Sequence, residues 1–205
     1  MLCWLALTLV VLAVGRVLTG PLAGSVGVEE NDLARWLAAH RTPGLDTVAE
    51  VGTFLGNTLF GVVALALLGA GVAWWRRSWR PLVLVVVVHA ALFGDYLLAT
   101  ALDPRDRPPV KILDPGLVPD HSFPSGHTIT ATILVGCLLV VVRTWTRWPV
   151  APFLALLLVP PLTMLSRMYQ GAHHLSDVLT ACAAAVTWLV LVDRAVARPV
   201  RDLTG

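Results

Sequence analysis

Two polar residues near the carboxyl end of the chain stand at a spacing that suits nucleophilic catalysis. His173 and Asp177 are four residues apart, which places them one turn apart on the same helix face. A carboxylate in that position can accept a hydrogen bond from one imidazole nitrogen and leave the other nitrogen free to attack an electrophile. The pair would equally fit two interfacial polar residues at a helix start, so the spacing alone leaves both interpretations open.

A second group, Pro124-Ser125-Gly126-His127, has the composition of a helix start. Ser125 can cap the helix, and Gly126 lets a ligand approach the backbone closely. The free N–H groups and the positive dipole end of such a helix bind anions, and His127 would be placed to donate a proton. A helix cap followed by an unrelated histidine would have the same sequence.

Three arginines, Arg105, Arg107 and Arg167, add fixed positive charge near these groups. The planar fork of donors on a guanidinium matches phosphate oxygens. Arginines at a membrane edge also anchor a chain to lipid headgroups, and this alternative stays open for Arg105. Together with two histidines and a carboxylate, the arginines predict phosphoryl transfer without a metal ion. The sequence has no GxxxxGK[ST] loop and no Asp/Glu/His cluster with the spacing of a two-metal site.

The elements that must position these residues are membrane-spanning helices. Hydrophobic residues make up 57% of the 205 residues and charged residues 14%, against roughly 45–50% and 25% in soluble domains. Several apolar runs approach the ~20 residues that a helix needs to cross a bilayer. The net charge of +2 is too small to indicate nucleic-acid binding. The three cysteines lack CxxC spacing, which argues against a disulfide framework or a zinc site.

The sequence predicts an all-α fold with six transmembrane helices in one bundle, as a single membrane-embedded domain over residues 1–205. The first run has no basic residues before it and ends near Arg16, which favours an uncleaved helix over a signal peptide. An amphipathic helix over 29–37 is expected in the interface, with a solvated connector helix as the alternative. Pro160-Pro161 is expected to kink the fifth span. The predicted spans are 2–18, 58–75, 81–102, 125–142, 149–165 and 174–192.

Basic segments set the predicted orientation. Arginines cluster after the second span, after the fourth span and in the tail, and six spans would put these segments on one side. The positive-inside rule makes that side cytoplasmic, together with both termini, in a bacterial cytoplasmic membrane. Residues 103–124 and 167–173 then meet at the outer surface. The clustered arginines are Arg76, Arg77, Arg80, Arg143, Arg147, Arg194, Arg198 and Arg201.

With these residues identified, the chain resembles the type 2 phosphatidic acid phosphatase family, which shares its active site with vanadium haloperoxidases and class A acid phosphatases. The family's second motif is complete as Pro124-Ser125-Gly126-His127. The third motif is complete as Ser166-Arg167, five residues, His173, three residues and Asp177. This register selects His173 rather than His174 as the family's nucleophile. The motifs cover residues 100–177.

The family's first motif is only partly present. Arg107-Pro108 matches it, but the lysine position falls on Thr100. Loss of one such charge can lower the rate on the order of 10²–10³ at an oxyanion-type site. Lys111, the only lysine of the chain, lies in the same loop, and we expect Lys111 or Arg105 to compensate. A slow enzyme or a different substrate is the alternative.

The resemblance implies a membrane phosphatase for a lipid phosphate or diphosphate, without a metal or other cofactor. Polyprenyl diphosphate, phosphatidic acid and phosphatidylglycerol phosphate are the candidate substrates. His173 would attack phosphorus to form a phosphohistidine, Asp177 would orient His173, and His127 would protonate the leaving group. The residues expected to hold phosphoryl oxygens are Arg107, Arg167, Ser125 and Gly126, with Arg105 or Lys111 in support.

Three other functions stay open at the level of sequence. The same phosphohistidine could pass its phosphoryl group to an acceptor alcohol instead of water. A non-catalytic lipid-binding or transport protein with a decayed site would explain the missing lysine, although the two histidines and the aspartate argue against it. A haloperoxidase using vanadate is disfavoured because the whole chain is membrane-embedded. The expected partners are a lipid phosphate and the bilayer, without nucleic acid.

Overall fold

The structure is a computed structural model that describes residues 2–197, so Arg198 and Arg201 lie outside the described part of the chain. Residues 2–197 form eight α-helices and no β-strand. Six helical segments are long and apolar enough to cross a membrane, which confirms the predicted all-α fold. The helices are α1 Leu2–Thr19, α2 Val26–Ala39, α3 Pro43–Leu55, α4 Thr58–Arg76, α5 Arg80–Leu102, α6 Gly126–Trp145, α7 Val159–Tyr169 and α8 Leu175–Val192; a 3₁₀ helix Ala151–Leu158 precedes α7, and a π-helical turn Asp193–Ala197 follows α8.

The spans agree with the predicted ones to within a few residues because polar caps end the apolar runs. The side chain of Asn57 accepts a hydrogen bond from the Phe60 N–H at 3.0 Å and so caps α4. Ser125 caps α6 in the same way. Pro81 lies in the first turn of α5, where a missing N–H is tolerated because it has no intrahelical acceptor.

The fifth span differs from the predicted kinked helix. Its first half is the 3₁₀ helix, and Pro160 and Pro161 lie in the first turn of α7. Prolines are accommodated there because the first N–H groups of an α-helix lack acceptors within the helix. The proline pair therefore begins α7 instead of bending it, and α7 carries Arg167 in its last turn.

Helix α2 contains the predicted amphipathic segment, but its inward face is unexpected. The buried residues of α2 are Glu30 and Ala34, whereas Trp36 is exposed. Leu33 and Leu37, the other large apolar residues of the predicted stripe, are half-buried. The stripe is therefore divided between the protein and its surroundings, and an acidic side chain lies on the buried face of α2.

Helix α3 was not predicted. The side chain of Thr42 accepts from the Leu45 N–H at 3.3 Å, and Pro43 occupies the first turn. Added methyl groups at Gly52 and Gly56 would collide with side chains of α7, so these glycines let α3 pack closely against α7. The sequence signal was weak because glycines within a helix lower its intrinsic stability.

Helix α6 lies at the centre of the bundle. It contacts α4, α5, α7 and α8, and it is the most buried of the six candidate spans. Its core side chains include Ile133 and Val141, which pack in one cluster with Leu92 of α5 and Ala185 of α8. The start of α6 is consequently held from several sides.

Residues 20–57, 103–125 and 170–174 come together at one end of the bundle, which we call the site face. The Arg41 guanidinium donates to the carbonyl of Lys111 at 2.8 Å and to that of Tyr169 at 3.0 Å. The Leu113 N–H donates to the Gln170 carbonyl at 3.0 Å. The two segments predicted to meet therefore do so. The opposite end, which we call the basic face, carries Arg76, Arg77, Arg80, Arg143, Arg147 and Arg194 near the exposed Trp74, Trp79 and Trp148.

Candidate active site

His173 lies in a short link between two helices. Helix α7 ends at Tyr169 and α8 begins at Leu175. Gly171 turns the chain with φ of 75°, a left-handed conformation that favours glycine at helix ends. A Cβ at Gly171 would also stand 2.6 Å from Val110 Cγ2. The link therefore has little freedom, and the position of His173 is set by both helices.

The imidazole of His173 is buried and held in one tautomer. Its Nδ1 lies 2.6 Å from the backbone carbonyl oxygen of Ser122. Because a carbonyl can only accept, Nδ1 carries the proton and Nε2 keeps a free lone pair. Burial lowers the pKa of His173 to about 4, against the opposing effect of the nearby Asp177 carboxylate. At neutral pH, Nε2 is thus an unprotonated nitrogen 3.5 Å from a guanidinium nitrogen of Arg107.

Asp177 contacts His173 less directly than the spacing predicts. Its Oδ2 lies 3.8 Å from His173 Nδ1, which is too long for a hydrogen bond. The same oxygen instead accepts from the Ser122 hydroxyl at 2.6 Å and from the His174 N–H at 2.7 Å. The predicted direct hydrogen bond is therefore wrong: Ser122 stands between the two groups, with its hydroxyl on the carboxylate and its carbonyl on the imidazole.

Arg105 also differs from its prediction as a phosphate ligand. Its guanidinium lies buried between two carboxylates, 2.7 Å from Glu30 Oε2 and 2.5 Å from Asp177 Oδ1. It also donates to the Ser176 hydroxyl at 2.8 Å. These acceptors occupy both terminal nitrogens, because the helix α2 brings Glu30 to the far side of the guanidinium. The headgroup-anchor alternative is excluded for the same reason.

Neither Lys111 nor Thr100 supplies the missing charge beside His173. Lys111 is exposed, and neither it nor Arg105 lines the cavity that holds His173. The Thr100 hydroxyl donates to the Tyr96 carbonyl within its own helix at 3.0 Å. The expected compensation by Lys111 or Arg105 is therefore not seen.

Arg107 is fixed beside His173 by backbone carbonyls. Its Nε donates to Val118 at 2.8 Å, and its terminal nitrogens donate to Ala172 at 2.6 Å and His121 at 2.9 Å. Burial, followed by the charge of Arg167, lowers the pKa of Arg107. A guanidinium nevertheless stays protonated in proteins. Arg107 and Arg167 are therefore neighbouring cations that repel each other, and a bound anion would reduce this repulsion.

Arg167 presents free donors to the interior. Its side chain is 0% exposed. One terminal nitrogen donates to Asp114 Oδ2 at 2.8 Å and to Gln170 Oε1 at 3.0 Å. Its Nε and its other terminal nitrogen are buried, and no hydrogen-bond partner for them is found among residues 2–197. Since buried donors without acceptors are costly, this pair of N–H groups indicates the place of an anion.

The start of α6 borders the same place. Ser125 is fully buried, and its Oγ accepts from the hydroxyl of Thr128 at 3.1 Å, which leaves the Ser125 proton for another acceptor. A methyl group at Gly126 would meet only the Tyr96 ring, at 3.6 Å, so glycine leaves open space on the cavity side. His127 lies close enough to His173 and to both arginines for their charges to act on it.

Of these groups, Arg107, Gly126, His127 and His173 line one cavity of about 150 Å³. Thr58, His89 and Phe93 line this catalytic cavity and also line an apolar groove of about 380 Å³. The groove lies between α4 and α5. The catalytic cavity is lined, among others, by Tyr96, Arg107, His121, Gly126, His127 and His173.

A third cavity, of about 760 Å³, lies at the site face between α1, α2 and residues 104–119. It shares Arg107 and Leu117 with the catalytic cavity. The catalytic cavity therefore adjoins this third cavity, which we call the vestibule and which polar and apolar residues line together, and also adjoins the apolar groove.

Sequence reasoning missed four residues that hold the site together. Ser122 and Gln170 lie next to the recognised motifs but match none of them. Asp114 gave no signal because an aspartate in a Pro- and Asp-rich loop is ordinary. Glu30 had a signal: it shares a helix face with the small Ala34, which indicates a face in close contact with protein.

The fold and this arrangement define the class of protein: a helical membrane protein in which histidines and arginines are buried together at one end of the bundle. The family model of the PAP2 superfamily matches residues 80–201, and the chain belongs to this family. The matched region includes all three motif segments and four of the six spans.

Similar proteins share most of the chain. Decaprenylphosphoryl-5-phosphoribose phosphatase of Mycobacterium tuberculosis is 31% identical over 157 residues, which are 74% of this chain and 80% of that protein. Phosphatidylglycerophosphatase B of Bacillus subtilis is 26% identical over 162 residues, which are 74% of this chain and 75% of that protein. The crystal structure of a transmembrane PAP2-type phosphatidylglycerolphosphate phosphatase from Bacillus subtilis shares the fold, with a TM-score of 0.73, 23% identity, and coverage of 97% of this chain and 99% of that chain.

Proposed function

We propose that this protein is an integral membrane phosphatase that hydrolyses a lipid phosphate or diphosphate through a phosphohistidine, without a metal ion. The observation that carries the proposal is the pair of buried, unpartnered N–H donors of Arg167, whose positive charge acts on His173. A phosphoryl group would supply the acceptors that these donors lack. Family membership and the phosphatases among its relatives support the same reaction.

The reaction uses His173 and His127 on opposite sides of the phosphorus. His173 Nε2 forms a P–N bond while the P–O bond to the leaving group breaks, and the electron pair goes to the leaving oxygen. His127 gives that oxygen a proton. Water then attacks the phosphohistidine: a new P–O bond forms as the P–N bond breaks, the electron pair returns to His173 Nε2, His127 takes the proton from the water, and inorganic phosphate leaves. Arg107 and Arg167 neutralise charge that grows on the equatorial oxygens, with the Ser125 hydroxyl and the backbone at Gly126 as further donors.

The apolar groove favours a lipid substrate. It opens from the catalytic cavity through His89 and Phe93 and is otherwise lined almost wholly by aliphatic side chains of α4 and α5. A tail lying there stays in an apolar environment while its phosphate reaches the arginines. Polyprenyl diphosphate, phosphatidic acid and phosphatidylglycerol phosphate all meet this description.

The site face is proposed to lie outside the cytoplasmic membrane, with both termini in the cytoplasm. The arginines and exposed tryptophans of the basic face support this orientation by the positive-inside rule and the aromatic belt. Substrate would then be taken from the outer leaflet.

The test is phosphate release by the purified protein in detergent with EDTA, from each of the three lipids. We expect release that survives EDTA and is lost in His173→Ala, with transfer of label from a ³²P-lipid to an acid-labile, base-stable protein adduct. Product analysis in the presence of glycerol separates free phosphate from a transferred phosphate ester. Equal release by His173→Ala, or loss of release with EDTA, would overturn the proposal.

A further inference from the structure

Helix α2 reaches into the active site through a single acidic side chain. Glu30 is 7% exposed, although the adjacent Glu29 of the same helix is exposed. Its Oε2 accepts from Arg105 at 2.7 Å. Its Oε1 accepts from the Ser176 N–H at 2.6 Å. A buried carboxylate is unfavourable unless charged and polar partners satisfy it, and here each oxygen has at least one, since Oε2 also accepts from the Ser176 hydroxyl at 3.1 Å.

The Ser176 contact makes Glu30 a cap for α8. Ser176 is the second residue of α8, so its N–H has no acceptor within the helix. A negative charge at a helix start is further favoured by the helix dipole. Asp177 satisfies the His174 N–H at the same helix start. Two carboxylates, one from α2 and one from α8 itself, therefore fix the first turn of α8.

The Arg105 contact joins these two carboxylates. The guanidinium lies between Glu30 and Asp177, with one terminal nitrogen on each. A second contact joins the same helices, because the Asn31 side-chain oxygen lies 3.1 Å from His174 Nε2. From α2 the chain of contacts runs through Arg105, Asp177 and Ser122 to the imidazole of His173.

We propose that Glu30 is a positioning residue for the reaction, which fixes Asp177 and the His173 link by capping α8 and by holding Arg105. The inference rests on the proposed function. It gives a supporting role in catalysis to Glu30 and to Arg105, which belongs to none of the family's motifs. In this proposal neither residue touches the substrate.

The test compares Glu30→Gln with Glu29→Gln, because Glu29 is the exposed carboxylate next to it on the same helix. Displacing reacting groups by about 1 Å can lower a rate on the order of 10²-fold. We expect kcat of Glu30→Gln to fall about 10- to 100-fold on this ground, with KM for the lipid little changed and Glu29→Gln close to wild type. Glu30→Asp should recover part of the loss. Thermal unfolding of each variant in detergent sets an assay temperature at which all are folded.

Two further readouts separate positioning from mere stability. The fold-loss in the double variant Glu30→Gln, Arg105→Leu should be smaller than the product of the two single losses, because Glu30 acts partly through Arg105. Arg105→Leu should also move the acidic limb of kcat/KM to higher pH, since Asp177 loses its counter-charge and favours protonated His173 more strongly. The charged or titratable groups around His173 are Asp177, His174, Arg107, Arg167, His127, His121, Tyr96, Arg105 and, behind Arg105, Glu30.

The outcomes distinguish this inference from the proposed function. Wild-type activity that needs His173 but is the same in Glu30→Gln and Glu29→Gln would overturn the inference alone. Multiplying losses in the double variant would overturn it as well. A wild type that releases no phosphate from any lipid would overturn the proposed function and this inference with it.

Discussion

Arginines of the site face and of the basic face have the same chemistry and opposite surroundings. Arg167 is fully buried and pairs with Asp114, while Arg143 of the basic face has a 46% exposed side chain and pairs with Asp193. Both ion pairs have the same 2.8 Å separation. The distance therefore says little about their roles. What differs is desolvation: the Arg167 guanidinium is removed from water and the Arg143 guanidinium is not, so neighbouring charges and dipoles interact more strongly with Arg167.

This difference teaches how to read arginines in a membrane protein. Exposed ion pairs contribute little to stability and are screened by solvent. What matters for the arginines of the basic face is therefore how many there are and on which side of the membrane they lie. A buried guanidinium needs an acceptor for each donor, and donors left over indicate a ligand. Four predictions test whether burial separates the two faces in this way.

The largest expected effect comes from replacing Arg167 with lysine. Lysine keeps the positive charge but lacks the fork of donors, so the two interior N–H groups disappear. We expect kcat/KM for lipid phosphate to fall on the order of 10²–10³-fold. Arg143→Lys is the matched control on the basic face and should stay within about twofold of wild type, since its pair is exposed. Similar losses in both variants would contradict the comparison.

The pH dependence should show the burial of His173. An exposed histidine loses its proton near pH 6.5, but burial lowers the pKa of His173 to about 4. The reactive form is the unprotonated one, so activity is present above the folded-state pKa and is lost as the pH falls through about 4. A profile of kcat/KM against pH measures this limb in the free enzyme. A limb near 6.5 would mean that His173 is solvated or that another group controls the rate.

A stability difference is expected between two aspartates that each pair with an arginine. Asp177→Asn leaves buried Arg105 without one of its counter-charges and should lower the free energy of unfolding by about 3 kcal/mol. Asp193→Asn removes the partner of exposed Arg143 and should lower it by less than about 1 kcal/mol. Denaturant unfolding in mixed micelles measures both. Equal losses would show that burial does not set the energy of these pairs.

The smallest effect concerns apolar surface, where the same distinction applies. Ala66→Phe fills part of the groove beside the catalytic cavity, while Leu67→Phe changes a neighbouring residue that is 70% exposed and does not line the groove. We expect about a tenfold lower kcat/KM for a long-chain lipid phosphate in Ala66→Phe only, an estimate that corresponds to a clash of 1–2 kcal/mol. A short, water-soluble phosphate ester is the control substrate. Loss with both substrates would indicate damage to the site instead.

The spans and the motif residues were predictable because their signals are local. Apolar runs bounded by Asn57, Ser125 and Pro81 define helices without knowledge of the fold. Helix α3 was not predicted because the reason for its glycines, close packing against α7, is visible only in the tertiary structure. The kink at Pro160-Pro161 was predicted wrongly because a preceding 3₁₀ helix was not expected.

The supports of the site could not be predicted, since they depend on which segments meet. The spacing of His173 and Asp177 correctly predicts that they lie close together, but His173 lies in the link before α8 and not on the helix, and Ser122 comes between them from a distant part of the chain. Arg105 looked like a phosphate ligand because the sequence does not show that Glu30 lies on its other side. Motif spacing predicts proximity along the chain, whereas hydrogen-bond partners are set by the tertiary structure.

The position of the catalytic cavity between the vestibule and the groove has a kinetic consequence. In the proposed reaction the two products part into different phases: the dephosphorylated lipid stays in the bilayer, and inorganic phosphate enters water past Arg107. Turnover would then follow the mole fraction of substrate in the membrane and not its bulk concentration. Added detergent or inert lipid would slow the enzyme by surface dilution, while phosphate in the outer medium would compete at the arginines.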